Sequence, residues 1–297
     1  MHIIEKIVQN IGFVINGGFR LALTFLTIVG TYFTLINPDK TDIGMECRLT
    51  LLCMSVILAY VCYLIWVGIC KKVTVYEEDN KKLVVQYGDL IKIIDNYEKS
   101  SEKAIFVIPV NRCFDTIVDD IIVEKQTVHG QFIKYVTDNL WTLEEVDKKN
   151  DSSLRDVIPE VLDVAVKDKG KNKRYPVGAL AKLESVKGNV FYLLALPKFK
   201  KVGEKVVVDE SINMHDYLEC LQRLVDYYKV DGRNLPIYIP TIGCGLSRLY
   251  ISVDNSIRQI LSIWRLNHDV IRNSINIVVY EKLFWNVHIL KYRREGK

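Results

Sequence analysis

The sequence predicts an α/β protein, with a mixed sheet flanked by helices on both faces and an N-terminal two-helix transmembrane hairpin before it. Three observations predict this fold class. Leu49–Cys70 is a run of 22 residues without a charge. From Leu83 onward, short apolar runs alternate with helix-like patterns, which is typical of α/β proteins. Leu235–Ser247 reads LPIYIPTIGCGLS, a short apolar run that opens into a glycine-containing loop.

Two segments of the N-terminal quarter are candidates for membrane spans. At ~1.5 Å per residue, Leu49–Cys70 is long enough to cross a hydrocarbon core of ~30 Å. Ile11–Ile36 reaches that length only by including Arg20, which would either snorkel toward the headgroups or face a protein partner. A signal peptide is the alternative for this first segment, but its apolar core is long for one. We therefore predict spans at about 11–36 and 49–70, in a hairpin that covers 1–72.

Charge and cysteine content restrict location and partners. Basic residues flank the outer ends of both spans, and the positive-inside rule then predicts a multi-pass protein of the cell inner membrane, with its main domain in the cytoplasm. The 7 cysteines form no CxxC pair and show no Cys/His spacing suited to zinc, so neither a disulfide scaffold nor a metal is predicted. The net charge of +4 is too small to predict nucleic-acid binding.

The remainder of the chain is predicted to be a juxtamembrane linker at 73–82 and one domain at 83–297, which is long enough for one core. Apolar runs predict strands at Leu83–Gln86, Ala104–Val110, Val177–Glu184, Asn189–Leu196, Ile237–Pro240 and Ile275–Tyr280. Spacings of three and four predict helices over 117–122, over 132–136, after a cap at 151–153, over 211–230 and over 253–264 with Ser252 as N-cap.

The loop with Gly243 and Gly245 is the strongest chemical signal. A strand, a Gly-x-Gly loop and a helix in this order are how α/β proteins hold phosphates, because glycines let the backbone come close and free N–H groups meet the oxygens. Taken alone, the two glycines could also serve only a tight turn.

Two further loops are expected at the same edge of the sheet. Asp89 follows the first predicted strand of the domain and Asn111 follows the second. Ligands of open α/β sheets sit beyond the carboxyl ends of the strands. There, Asp89 could accept a hydrogen bond from an exocyclic amine, and Asn111 could bind a ribose hydroxyl. Asp89 could instead be a turn residue or a cap, and Asn111 could simply cap the helix that follows it.

Together these motifs resemble a macro domain, the ADP-ribose-binding module, over roughly 83–290. Gly88-Asp89-Leu90 resembles the family's GD[IL] turn, whose Asp contacts adenine. Val110-Asn111 resembles the start of its VNAAN segment, and Ile239–Gly245 resembles its second phosphate loop. The resemblance implies a macro-like fold and ligand binding by Asp89, Leu90, Asn111, His129, Gly130, Thr241, Gly243, Cys244, Gly245, Leu246, Ser247 and Phe284. Phe284 would pack near adenine or fill the core.

The departures from the family concern catalysis. The second Asn of VNAAN falls at Phe114, and no GGG run follows it. No obvious residue then remains to position a water against the ribose, so no catalytic residue and no cofactor are predicted. The alternative is a membrane-anchored ADP-ribosyl hydrolase that acts through His129 or Asp115. A third reading is a membrane scaffold whose glycine loop binds nothing.

The layout of two spans followed by a divergent macro-like domain resembles the membrane effectors of the bacterial type II Thoeris anti-phage system. The resemblance implies a macro domain that senses a nucleotide signal, an ADP-ribose conjugate of histidine made by a partner TIR-domain protein. It also implies that ligand binding leads to homo-oligomerisation and to damage of the cell membrane.

Overall fold

A computed structural model describes residues 11–35, 44–163, 167, 169–202, 205–208, 213–244, 251–281, 287 and 289–294. The chain divides into two compact units. One consists of Met1–Val73 with His288–Glu295, and the other consists of Thr74–Val287 with Gly296–Lys297.

The first unit contains two long apolar helices, α1 (Ile11–Leu35) and α2 (Met45–Ile69). Their segments Val14–Thr31 and Glu46–Ile69 have mean hydropathies of 1.4 and 2.3, and both are long and apolar enough to cross a membrane. The prediction of two apolar N-terminal helices is therefore confirmed. The helices approach closely where α1 carries glycine, because a Cβ on Gly18 would overlap the Tyr60 ring.

A C-terminal 3₁₀ helix, Ile289–Arg294, belongs to the same unit as the two long helices. The Arg293 guanidinium lies 5.2 Å from the centre of the Trp66 ring, which is cation–π distance. This segment falls within the stretch 83–297 that was predicted to be one domain, and that boundary stays a prediction.

The second unit is built on strands that we number in chain order: β1 (Lys72–Glu78), β2 (Lys81–Gly88), β3 (Ile105–Val110), β4 (Glu160–Val161), β5 (Lys173–Arg174), β6 (Leu180–Glu184), β7 (Val190–Ala195), β8 (Phe199–Val202), β9 (Lys205–Val208), β10 (Ile237–Pro240) and β11 (Ser274–Tyr280). Its helices are α3 (Leu90–Lys99), α4 (Val128–Asn139), α5 (Leu143–Ser153), α6 (Met214–Asp231) and α7 (Val253–Leu266).

Within the described residues, the main sheet has the strand order β1-β2-β11-β10-β3-β7-β6. Strands β2, β11, β10, β3 and β7 pair in parallel, and β6 pairs antiparallel with β7. A two-residue turn joins β1 to β2, which requires these two strands to run antiparallel. The sheet is therefore mixed, as predicted.

Helices cover both faces of this sheet. Phe106 and Ile108 of β3 pack in one core with Ile94 of α3 and Phe132 of α4. Ile105 and Val107, which alternate with them, are equally buried but lie outside that core, on the face where α6 and α7 contact the sheet. Burial on both faces explains why the central strands read as continuous apolar runs.

Two predicted elements differ near the start of the domain. The segment predicted as a linker, 73–82, contains most of β1, whose buried Val73 and Val75 alternate with exposed residues. The helix predicted over 117–122 is absent, although this stretch is fully described. There the Asp119 carboxylate accepts hydrogen bonds from the backbone of Ile121 and Ile122, and Asp120 has a φ of 64°. These local bonds replace helical ones.

The helix predicted to follow a cap at 151–153 was also wrong. Those residues end α5, which begins earlier, at a capping box formed by Thr142 and Glu145. Beyond α5 the chain turns, consistent with Pro159 excluding a helix there. The other predicted strands and helices of the domain are present, with ends shifted by a few residues, and Ser252 caps α7 through Asn255 N–H.

We predict that Thr142→Ala lowers the free energy of unfolding by about 1 kcal/mol, because it removes the side-chain acceptor at the start of α5. Urea unfolding of the full chain in detergent measures the change. Thr137→Ala is the matched control, since this hydroxyl bonds within α4 to Ile133 and caps nothing. Equal effects of the two substitutions would contradict the capping role.

Candidate functional site

The carboxyl ends of the parallel strands meet at one edge of the sheet. Tyr280 at the end of β11 lies opposite Gly88 of β2, and Pro240 at the end of β10 lies opposite Val278. Because β2 and β3 are separated by β11 and β10, Asp89 and Asn111 lie about 14 Å apart along this edge, at ~4.8 Å per strand. The glycine loop after β10 emerges between them. The three loops singled out in the sequence therefore share one edge.

Asp89 is the N-cap of α3. Its Oδ1 accepts hydrogen bonds from the backbone N–H of Ile91 at 3.0 Å and of Lys92 at 3.4 Å. No hydrogen bond to its Oδ2 occurs within the described ranges, so the carboxylate can cap the helix and still accept a bond from a ligand. The side chain of Leu90 packs in the core beneath α3, with 5% of its surface exposed.

Asn111 carries an unpaired donor at the end of β3. Its side chain is 3% exposed, and its Oδ1 closes a tight turn by accepting bonds from Cys113 N–H at 3.0 Å and Asp115 N–H at 3.3 Å. Its Nδ2 is buried and has no partner in the part of the chain that the structure describes. A buried donor that stays unpaired lowers the stability of the fold by about 1–3 kcal/mol. An oxygen of a bound ligand would remove that cost.

Phe114 occupies the position of the second amide in the family motif. It has a φ of 52° and is 1% exposed. Its ring packs edge-on against Tyr175, with centroids 5.4 Å apart. An aromatic ring, and not an amide, therefore occupies this position.

Asp115 is committed to a buried ion pair. Lys167 Nζ lies 2.6 Å from Oδ2 and 2.9 Å from Oδ1, and Lys171 N–H donates to Oδ1 at 2.6 Å. Both side chains of the pair are fully buried. Burial raises the pKa of Asp115, and the Lys167 ammonium opposes that shift. With both oxygens engaged and the side chain buried, this carboxylate holds the loop together.

His129 and Gly130 lie in the first turn of α4. His129 is 7% exposed, burial lowers its pKa to about 3, and it hydrogen-bonds the Asp115 backbone. Gly130 N–H donates to Thr127 Oγ1 at 3.0 Å, and a Cβ on Gly130 would overlap the carbonyl oxygen of Glu124. This turn is packed and neutral, and ligand contacts by these two residues remain predictions.

The glycine loop is fixed at its start by hydrogen bonds. Thr241 N–H donates to Val278 O at 3.2 Å, and Ser256 Oγ of α7 donates to Ile242 O at 2.8 Å. Tyr217 Oη of α6 lies 3.2 Å from Ser256 Oγ and must be the donor, since that serine has one proton. Two helices therefore hold the loop where it leaves β10.

Tyr217 and Ser256 were not predicted as positioning residues. The one available signal was a hydroxyl on each apolar helix face. Within the loop itself, Gly243 has a φ of 83°, a conformation that favours glycine. Burial raises the pKa of Cys244 to about 11, so its thiol stays protonated. The other predicted ligand-binding residues lie outside the described residues: Gly245, Leu246, Ser247 and Phe284.

The described ranges contain no set of metal ligands. No group of three or more His, Cys, Asp or Glu side chains there could hold a metal ion. The polar groups at the sheet edge are hydrogen-bond donors and acceptors, which suit an organic ligand rich in oxygen and nitrogen atoms.

Comparisons with known proteins agree with this geometry. The family model described as "Thoeris protein ThsA, Macro domain" matches residues 83–280. The Thoeris protein ThsA of Bacillus amyloliquefaciens (strain Y2) is 24% identical over 246 residues, which cover 82% of this chain and 74% of that protein.

Similar solved structures include the Oceanobacillus iheyensis macrodomain with ADP, at 10% identity and a TM-score of 0.40 over 76% of this chain and 94% of that one. A mutant of the same macrodomain is 11% identical, with a TM-score of 0.43 over 76% of this chain and 96% of that one. The family match, and not these low scores, carries the assignment.

We predict that Ser256→Ala lowers the free energy of unfolding by about 1–3 kcal/mol, because it leaves Ile242 O and the Tyr217 hydroxyl buried without this partner. Tyr217→Phe is the matched comparison and should cost less, since the bond from Ser256 to Ile242 O survives. Denaturant titration of the full chain in detergent measures both values. A Ser256→Ala variant as stable as the wild type would disprove the anchoring role.

We also predict that acid destabilises the protein through His129. The pKa of His129 is about 3 when folded and near 6.5 when unfolded, so the unfolded chain binds more protons between these values. Stability is therefore lost as the pH falls below about 6.5. Thermal unfolding from pH 7 to pH 4 should show a smaller loss for His129→Gln than for the wild type. Parallel pH profiles would refute this.

Proposed function

Because the chain belongs to the Thoeris protein ThsA macro-domain family, we propose that it is a membrane-anchored effector of bacterial anti-phage defence whose macro domain senses an ADP-ribose-derived signal. The proposed signal is a histidine conjugate of ADP-ribose, made by a TIR-domain partner protein. The observation that carries the proposal is the buried Nδ2 of Asn111 at the carboxyl edge of the sheet, which has no partner among the residues that the structure describes.

The spacing of polar groups along that edge supports an extended nucleotide. At one end, Asp89 offers a carboxylate oxygen that accepts no hydrogen bond from the described residues, and Asn111 offers an amide donor about 14 Å away. The loop at Gly243 emerges between them, where backbone N–H groups can meet a pyrophosphate. In this arrangement adenine lies against Asp89 and the distal ribose against Asn111.

The chemistry around Asn111 favours binding without hydrolysis. Asp115 is held by Lys167 and Lys171, His129 is buried with a pKa of about 3, and Phe114 stands in place of an amide. None of these groups can both reach a water and accept its proton near neutral pH. We therefore propose a sensor whose signal survives binding.

A sensor changes state only as far as its ligand binds one state more tightly than the other. We propose that the ligand-bound state is a homo-oligomer in which the hairpins of α1 and α2 disrupt the membrane. The two helices would span the inner membrane, and the macro domain would lie in the cytoplasm. The length and mean hydropathy of the helices support the spanning, and the basic residues that flank the outer ends support the cytoplasmic side.

Binding is tested with Asn111→Asp, which keeps the Oδ1 acceptor of the turn and replaces the Nδ2 donor. Calorimetry of the full chain in detergent with histidine–ADP-ribose should show at least a tenfold loss of affinity, because a hydrogen bond worth about 1.5 kcal/mol of binding free energy is lost. Asn96→Asp, at an exposed position of α3, is the matched control. Unchanged binding by Asn111→Asp would remove the support for this pocket.

Turnover of the ligand distinguishes the hydrolase alternative from the proposed sensor. Long incubation of the same ligand with concentrated wild-type protein should return it intact by chromatography, and the release of free ADP-ribose would establish an enzyme. If the wild type gave neither binding heat nor a thermal shift with this ligand, the result would instead favour the membrane scaffold.

A further inference from the structure

Helix α1 carries a polar stripe along one side. Its members are Asn16, Arg20, Thr24, Thr27 and Thr31, and all are exposed. At about 100° per residue they fall within an arc of about 80°. Their length along the helix is about 22 Å, most of a hydrocarbon core of ~30 Å.

A different side of α1 packs against α2. Val14 is 3% exposed and Gly18 is buried. A side chain on Gly17 would overlap Tyr63, and one on Gly18 would overlap the Tyr60 ring. At about 100° per residue these positions fall outside the arc of the polar stripe, which stays exposed in the hairpin. A single hairpin in a bilayer would present it to lipid.

The threonines of the stripe tolerate lipid better than the arginine does. Thr24 and Thr27 donate to the backbone carbonyls of Arg20 and Leu23, at 2.9 and 2.8 Å. Within the described residues, the Arg20 guanidinium has neither a hydrogen bond nor an ion pair. Arg20 is the seventh residue of the apolar segment Val14–Thr31, so a charge that deep is costly unless water or protein surrounds it.

We propose that the stripe is the surface on which copies of α1 assemble around a water-filled path, and that Arg20 makes this path selective for anions. Arg20 is the only charged residue of α1, so two stripes pressed together would oppose like charges with no acidic partner. A ring around water separates and hydrates them. Rings of basic side chains select anions. The inference rests on the proposed membrane insertion and oligomerisation.

The test uses the full chain in phosphatidylcholine–phosphatidylglycerol vesicles, with histidine–ADP-ribose as the trigger. The reversal potential, measured in a planar bilayer of the same lipids across a KCl gradient, reports the ion preference. We expect wild type and Arg20→Lys to prefer chloride over potassium, Arg20→Gln to lose the preference and Arg20→Glu to reverse it. Thr50→Val, at an exposed position of α2, should match the wild type.

Each other outcome has a separate meaning. Triggered currents with the same ion preference in wild type, Arg20→Gln and Arg20→Glu would refute the proposal and leave Arg20 snorkelling to the headgroups. Release of a large dye by every variant would refute the selective path and indicate general rupture of the bilayer. A wild-type chain that alkaline carbonate extracts from the vesicles would overturn the membrane anchoring itself, and hence the proposed function.

Discussion

The in-register parallel pairing of β2, β11, β10 and β3 is the constraint on which the rest of the second unit depends. These strands are buried on both faces, and a slip of one residue would move Phe106 and Ile108 out of their core and expose that core to the wrong side chains. The same register fixes where each strand ends. Because Asp89, Asn111 and Thr241 each follow a strand end directly, core packing positions the ligand-binding edge.

Around that edge, several buried polar groups are tied to one another. Asp115 and Lys167 neutralise each other, and Tyr217 and Ser256 bond the start of the glycine loop. These bonds rigidify the walls in advance of binding, which lowers the entropy lost when a ligand is ordered. Among the described residues, Asn111 Nδ2 is one of the buried side-chain atoms without a partner, and it lies at the end of β3. An open donor beside a rigid wall is suited to recognition.

Prediction from sequence succeeded where burial decides the pattern. Central strands covered on both faces read as apolar runs, and the loops after them could be assigned to one edge. β1 was missed because only alternate residues such as Val73 and Val75 are buried, among charged neighbours. The apolar spacing over 117–122 predicted a helix, but the Asp119 side chain bonds the backbone instead. Lys167 could not be identified, because its partner lies 52 residues away in the chain.

The grouping of Ile289–Arg294 with the hairpin has a consequence for how the first unit is encoded. In chain order this unit is discontinuous, because it contains Met1–Val73 and His288–Glu295 with the sheet-bearing stretch between them. The 3₁₀ helix therefore contributes to the unit of the two long helices from the far end of the chain, through the contact of Arg293 with Trp66. A substitution near the C-terminus can thus alter the unit that carries the candidate membrane spans, although more than 200 residues separate the two in sequence.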